Sequence, residues 1–287
     1  MSKTIVITGA SDGIGAAAAA QLAAAGHRVV VVGRSPEKTR KVAETIGADH
    51  FVADFAELAQ VRTLAAELLA AYPRIDVLAN NAGGQMGART VTADGHEKTF
   101  QVNHLAPFLL TNLLMEVLVD SRASVVNTSS IGSKLYGHVD LDDLDSERWY
   151  EASRAYCTSK LENVLFTKEL HRRFHDQGVS TLAFHPGVIA SNFASDATNM
   201  MGLLYRTPLR NLLTSSQTAG GFLARFAAGT PGRDWVSGEY YEKTKLARPA
   251  RQATDADLAR ALWERSEALV AVSAGPTGPT PSAPEPR

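Results

Sequence analysis

Short runs of consecutive apolar residues alternate with longer helix-forming stretches along the 287-residue chain, and this alternation constrains the fold more than any other feature. "KTIVITG", "HRVVVVG", "HFVAD", "IDVLANNAG", "ASVVNTSS" and "VSTLAFHPG" read as strands, with "SGEYYE" as a last one. Between them lie "GIGAAAAAQLAAAG", closed by Gly26, and a helix opened by Ser35 and Pro36. "FAELAQVRTLAAELLAAY", a long helix from about Ala93 to Asp120, and a helix carrying Tyr156 and Lys160 follow, with "TDADLARALWERSEALV" near the end. Strands that are apolar at every position are covered on both faces, the pattern of a parallel sheet wrapped by helices. The expectation is a single α/β domain over residues 1–272, a doubly wound parallel sheet with helices on both faces. Ligands of such sheets bind at the carboxyl ends of the strands, where the strand order reverses. Residues 273–287, rich in Pro, Gly and Ser, read as a disordered tail.

Several function classes fall away on composition. A net charge of −1 offers nothing to nucleic acid or to an anionic membrane surface. The longest apolar run, "LAPFLLTNLLMEVLV", is interrupted by Pro, Thr, Asn and Glu, so no membrane span is expected. "MSKTIVITGA" enters a strand without a secretory pattern, which predicts a cytoplasmic protein. A single cysteine, Cys157, rules out an internal disulfide framework and a Cys-rich zinc site. The acidic stretch "DLDDLDSE" reads as a solvated loop, His104, His138 and His185 as ordinary loop or helix residues, and no metal is expected.

Two local patterns carry chemistry. "ITGASDGIG" sets Gly9, Gly13 and Gly15 between the first strand and the first helix, where a pyrophosphate can approach the free N–H groups of a helix N-terminus. Tyr156 and Lys160, four residues apart on one helix, share a face. A phenol alone has a pKa of about 10, and an ammonium one turn away favours its ionised form. Taken alone, the pair reads more readily as a snorkelling Lys beside a half-buried Tyr.

"TGASDGIG", "NNAG" at Asn80–Gly83, "VNHLAPFLLT" around Asn103, "VVNTSS" ending at Ser130, "YCTSK" and "HPG" at His185–Gly187 occur in that order. Together they resemble the short-chain dehydrogenase/reductases, from Lys3 to about Val272. "DGHEKTFQVNHLAPFLLTNLL", "YCTSKLENVLFTKEL" and "LWERSEALV" are most similar to the retinol-dehydrogenase-like branch. The long separation of Ser130 from Tyr156 agrees with that branch.

The resemblance implies a Rossmann-type fold and carbonyl reduction, or the reverse alcohol oxidation, by hydride transfer. It makes Tyr156 the acid/base and Lys160 the tuning cation that also holds the nicotinamide ribose. Ser130, rather than its neighbour Ser129, would hold the substrate oxygen, and Asn103 would position a water next to Lys160. Cofactor contacts would come from Gly9, Ser11, Asp12, Gly13, Ile14 and Gly15, from Asp54, and from Asn80, Ala82 and Gly83. Pro186, Gly187, Val188 and Ser191 would line the nicotinamide. After the second strand stands Gly33, where a carboxylate would bind a ribose 2′-OH, and then Arg34, suited to a 2′-phosphate. NADP(H) is therefore expected, although Asp12 counts against it. Met200, Met201, Leu203, Leu204 and Tyr205 would form an apolar lid over a bulky lipophilic carbonyl or alcohol. Ketoreductases of aromatic polyketide pathways, anthracycline ketones among their substrates, are similar. A retinol-like or xenobiotic carbonyl reductase is the alternative, and a homodimer built on the Asn103 and Tyr156 helices occurs in the family. A non-catalytic dinucleotide sensor would be favoured by loss of the Tyr or Lys, and both are present.

Overall fold

A computed structural model describes residues 2–188 and 214–272. The strands are β1 Thr4–Thr8, β2 Arg28–Gly33, β3 Asp49–Val52, β4 Val77–Asn80, β5 Ser124–Thr128, β6 Ser180–His185, β7 Glu239–Glu242 and β8 Lys245–Leu246. They form one sheet in the order β3-β2-β1-β4-β5-β6-β7-β8. β1 to β7 pair in parallel, and β8 returns antiparallel along β7. This is the expected doubly wound α/β architecture, with a two-residue edge strand that carries too little pattern to be read from sequence.

Strand alternation explains why the strands are apolar throughout. Ile5, Ile7, Val29 and Val31 enter one core cluster, whereas Val6, Val30 and Val32 enter the other. The first cluster lies under α1 Gly13–Ala24, α2 Pro36–Ile46 and α9 Ser216–Ala228. The second lies under α3 Leu58–Ala71, α5 Ala106–Leu113, α8 Ala152–Phe174 and α10 Ala256–Val272. Each of these valines and isoleucines is at most 3% exposed, worth about 1.5–3 kcal/mol apiece relative to exposure. Ser35 caps α2 as expected, its hydroxyl accepting from Lys38 N.

The single long helix expected from Ala93 to Asp120 is instead a series of pieces. The chain turns at Asp94 and Gly95, and the Glu97 carboxylate then caps α4 Lys98–Phe100 by accepting from Thr99 N and Phe100 N, each at 2.8 Å. A π-helical turn, Gln101–Leu105, follows before α5, and α6 Met115–Asp120 comes after a break at Leu114. Pro107 has no N–H to offer the Asn103 carbonyl, so the ladder widens just ahead of it.

After β5 the chain makes a one-turn helix, α7 Gly132–Leu135, before the acidic stretch. That stretch is not uniformly solvated. Asp145 turns inward, accepting from Glu97 N at 2.8 Å and facing His96 Nδ1 at 3.3 Å. It clamps the insert onto the cap of α4, because an inward acid finds donors there that water would otherwise supply.

Candidate active site

The glycine loop leaves β1 at the point where the strand order reverses, between β1 and β4. Thr8 Oγ1 accepts from Asn81 N and Ala82 N, both at 3.0 Å, and Asn81 Nδ2 donates to Thr8 O and Gly9 O. The loops after β1 and β4 are thereby joined. Asn80, expected in the loop beside the adenine ribose, ends β4 with its side chain turned inward: its Nδ2 donates to Thr111 Oγ1 and Asn127 Oδ1, each at 3.0 Å. Asn81 is the residue the sequence reading passed over, and the doubled Asn was its only signal.

Asp12 caps α1, its Oδ1 accepting from Gly13 N at 2.7 Å, while Oδ2 faces Lys38 Nζ at 3.6 Å. The first turn, through Gly13, Ile14 and Gly15, carries no acidic side chain. A Cβ built on Gly13 would meet nothing within 4 Å. Room, free N–H groups and the positive end of the helix dipole together fit an anionic pyrophosphate. A Cβ on Gly33 would stand 2.7 Å from Ser11 Cβ and 2.5 Å from Thr39 Oγ1, so a carboxylate has no space at position 33. Arg34 follows, exposed, with Lys38 one helical turn beyond it on α2. Lys38 was also passed over, although its spacing from Arg34 in "GRSPEK" was visible. Asp54 is half-buried and accepts from Ala56 N at 2.9 Å.

Tyr156 and Lys160 lie in the first turns of α8, with Lys160 Nζ 5.7 Å from the centre of the Tyr156 ring. Lys160 is 3% exposed, and burial pulls its ammonium down to about 8 from the usual Lys value. Its Nζ donates to Thr128 O at 3.2 Å. A Cβ on Gly83 would stand 2.5 Å from Asn103 Oδ1 and 3.2 Å from Lys160 Nζ, so only glycine lets these groups converge. Asn103, in the π turn, binds the same loop: Gly84 N donates to its Oδ1 at 2.8 Å, and its Nδ2 donates to Gly84 O and Ser159 Oγ, both at 2.9 Å.

The two serines after β5 diverge as strand alternation requires. Ser129 Oγ donates to Lys160 O at 2.7 Å and is buried. Ser130 is half-buried, and its Oγ accepts from Gly132 N at 3.1 Å, which leaves the hydroxyl proton to be given elsewhere. Cys157 is buried with Sγ against Gly132, and desolvation pushes its thiol up to about 11, an inert packing group.

Pro186 and Gly187 are buried at the end of β6, and Val188 is half-exposed. Ser191, Met200, Met201, Leu203, Leu204 and Tyr205 lie outside the described residues, as does the 273–287 tail. His104 and His185 are buried, and desolvation lowers both to about 4, so each is a neutral packing residue. Among the described residues, no group of three or more His, Cys, Asp and Glu side chains is arranged to hold a metal ion. No helix among them is long and apolar enough to cross a membrane.

Residues 3–202 match the family model for short chain dehydrogenase. DnrU from Streptomyces sp. (strain C5), assigned as a daunorubicin C-13 ketoreductase, is 43% identical over 276 residues, covering 93% of this chain and 92% of that protein. Retinol dehydrogenase 13 from Homo sapiens is 38% identical over 285 residues, covering 95% and 86%. The crystal structure of an uncharacterized protein from Mycobacterium paratuberculosis superposes with a TM-score of 0.73 at 32% identity, covering 94% and 93%. The family match runs through both the glycine loop and the Tyr156–Lys160 pair. The chain belongs to the short-chain dehydrogenase family, as an oxidoreductase that works with a nicotinamide dinucleotide.

Proposed function

We propose that the protein reduces a ketone or aldehyde on a bulky lipophilic substrate with NADPH, an anthracycline or related polyketide side-chain ketone being the favoured class. The observation that carries this reading is the buried Lys160 ammonium, 5.7 Å from the Tyr156 ring and bonded to Thr128 O at the end of β5, two residues before Ser130. The resemblance to DnrU supports the substrate class.

The N-terminus of α1 would hold the pyrophosphate, with Ser11 and Arg34 at the adenosine end and Lys160 at the nicotinamide ribose. Asp54, Ala82 and Gly83 would border the adenine, and Pro186, Gly187 and Val188 the nicotinamide. The bound reduced nicotinamide supplies the hydride. Ser130 donates a hydrogen bond to the carbonyl oxygen, Tyr156 gives that oxygen its proton, and Lys160 stabilises the negative charge left on Tyr156. Asn103 holds the Gly83–Gly84 loop against Lys160. Gly33 excludes a carboxylate, and Arg34 with Lys38 offers cations to a 2′-phosphate, which supports NADPH over NADH. Asp12 opposes that preference only weakly, because its carboxylate is engaged by Gly13 N and Lys38.

A panel of aldehydes, retinal, steroids, quinones and anthracycline ketones, assayed with both cofactors, tests the reading. NADPH is expected to give the larger kcat/KM, and Tyr156→Phe to lower turnover by about 10²–10⁴-fold. Preference for NADH, or turnover surviving in Tyr156→Phe, overturns it. Preference for retinal within the panel would favour the retinol-like alternative that retinol dehydrogenase 13 suggests.

A further inference from the structure

The helical turn α7 begins two residues after Ser130 and is bonded back to it. Ser130 Oγ accepts from Gly132 N, and Ser133 N and Ser133 Oγ donate to Ser130 O at 3.1 and 2.6 Å. Tyr136 N donates to Gly132 O at 2.9 Å, and the inner side of the turn rests on Cys157 of α8. Lys134 is drawn aside toward Glu242, 3.5 Å away. What this rigid turn presents outward is Leu135, 60% exposed, and Tyr136, 71% exposed. These are the two highest exposures among the described large hydrophobic residues, and neither side chain joins a core cluster. Packing therefore does not account for holding them there.

Two other exposed apolar groups, Leu246 and Val188, lie at the carboxyl ends of the parallel strands. Leu246 of β8, opposite Tyr241 of β7, is 59% exposed, Val188, three residues past β6, is 39% exposed, and Trp149, just ahead of α8, is 57% exposed. Trp149 is also held in place, with the Arg154 guanidinium 4.9 Å from its ring centre. The carboxyl ends of the strands are where Ser130 is delivered. An aromatic face held one short helical turn from Ser130 matches a flat, fused-ring body, which stacks on it by offset contact.

We propose that Leu135 and Tyr136 form an apolar shelf that receives the polycyclic body of the substrate while its carbonyl sits at Ser130, and that this shelf sets the preference for large over small ketones. The proposal rests on the reductase reading and extends it to named specificity-determining residues. Bonding to Ser130 is what makes the shelf selective: its distance from the carbonyl oxygen is set by one short helical turn. A single-ring ketone held at Ser130 engages less of that surface than a fused-ring one.

The test compares 1-acetylpyrene, a four-ring aryl ketone, with acetophenone. The wild type, a Leu135→Ser/Tyr136→Ser variant, Tyr136→Phe, and a Leu69→Ser control on α3 are assayed with NADPH. Binding of 1-acetylpyrene is measured separately from its own fluorescence. Removing the shelf is expected to raise its Kd about tenfold and to lower the kcat/KM ratio of 1-acetylpyrene to acetophenone by a similar factor. Tyr136→Phe, which keeps the ring, and Leu69→Ser are expected to retain the wild-type ratio. An unchanged Kd and ratio in the double variant, or no binding of 1-acetylpyrene to the wild type, overturns the proposal. Wild-type binding that weakens in the double variant, with neither ketone reduced, would sink the reductase reading and leave the shelf standing.

Discussion

Lys160 shows how a single side chain can be costly to the fold and still be retained. It is 3% exposed and faces a main-chain carbonyl, with burial alone pulling its ammonium down to about 8. At pH 7 it is charged in both the folded and the unfolded chain, so the folded state carries the cost of keeping a cation out of water. Between about 8 and its ordinary 10.5, the folded chain releases the proton first, and stability rises with pH across that window. Lys160→Met should therefore hold or raise Tm at pH 7 while lowering kcat/KM for carbonyl reduction by about 10²-fold or more. Thermal unfolding alongside steady-state kinetics separates the two effects, and a large loss of Tm with activity intact would reverse the assignment. At this scale the sequence was legible wherever a period decides which way a side chain points. That Ser129 and Ser130 diverge follows from strand alternation, the choice of Ser130 from the family resemblance, and Tyr156 with Lys160 on one face from the helical repeat. Asn80 and Asn81 fall at a strand end, where that period runs out, and the pair could not be told apart without the loop.

Among elements, α8 carries the reacting pair and also a buried acid that the reaction does not use. Glu162 is 1% exposed, and neither of its oxygens has a protein hydrogen-bond partner among the described residues. Burial first, then the like charges of Glu97 at the cap of α4 and Asp145 on the insert, hold its carboxyl well above the usual carboxylate range. The folded chain thus keeps a proton that the unfolded chain releases above about 4.5, so stability falls as pH rises from there toward the folded-state value. The slope is at most about 1.4 kcal/mol per pH unit. Glu162→Gln removes it. The Tm of the variant relative to the wild type should therefore grow between pH 5 and pH 8, and a flat or shrinking difference argues against a protonated Glu162. The same region explains why element boundaries were harder to read than elements. Apolar periodicity predicted helix from Ala93 to Asp120, but Gly95, Pro107 and the π turn at Asn103 divide it, and those interruptions are what bring Asn103 to Gly84. α7 has too few residues for any period, and Asp145 is acid in composition yet inward in the fold.

In the whole molecule, the sheet sets the strand ends that form the site, and α10 braces the helices behind it from the far end of the chain. Trp263 lies 4.9 Å from the Phe108 ring of α5 and 5.7 Å from the Phe166 ring of α8, with the Arg173 guanidinium 4.6 Å from its own centre. Ser266 Oγ donates to Leu262 O, so the neutral His104 donates its Nε2 proton to that hydroxyl oxygen at 2.9 Å. Part of the α5–α8 surface that the family resemblance offers to a homodimer is thus covered within the chain. The brace reaches the π turn through His104, the neighbour of Asn103, but touches neither the glycine loop nor Arg34. Trp263→Ala should cost about 3–5 kcal/mol. For a chain of this size that is a fall of roughly 6–20 °C in Tm. Saturating NADPH stabilises the folded state by mass action at a site the substitution leaves alone, so its increment in Tm should match that of the wild type. A fall under about 2 °C would mean that Trp263 is not a brace at all, since burial on this scale is worth more than that. An NADPH increment lost along with the indole would place the cofactor site and α10 in one cooperative unit, rather than the two that their separate contacts describe.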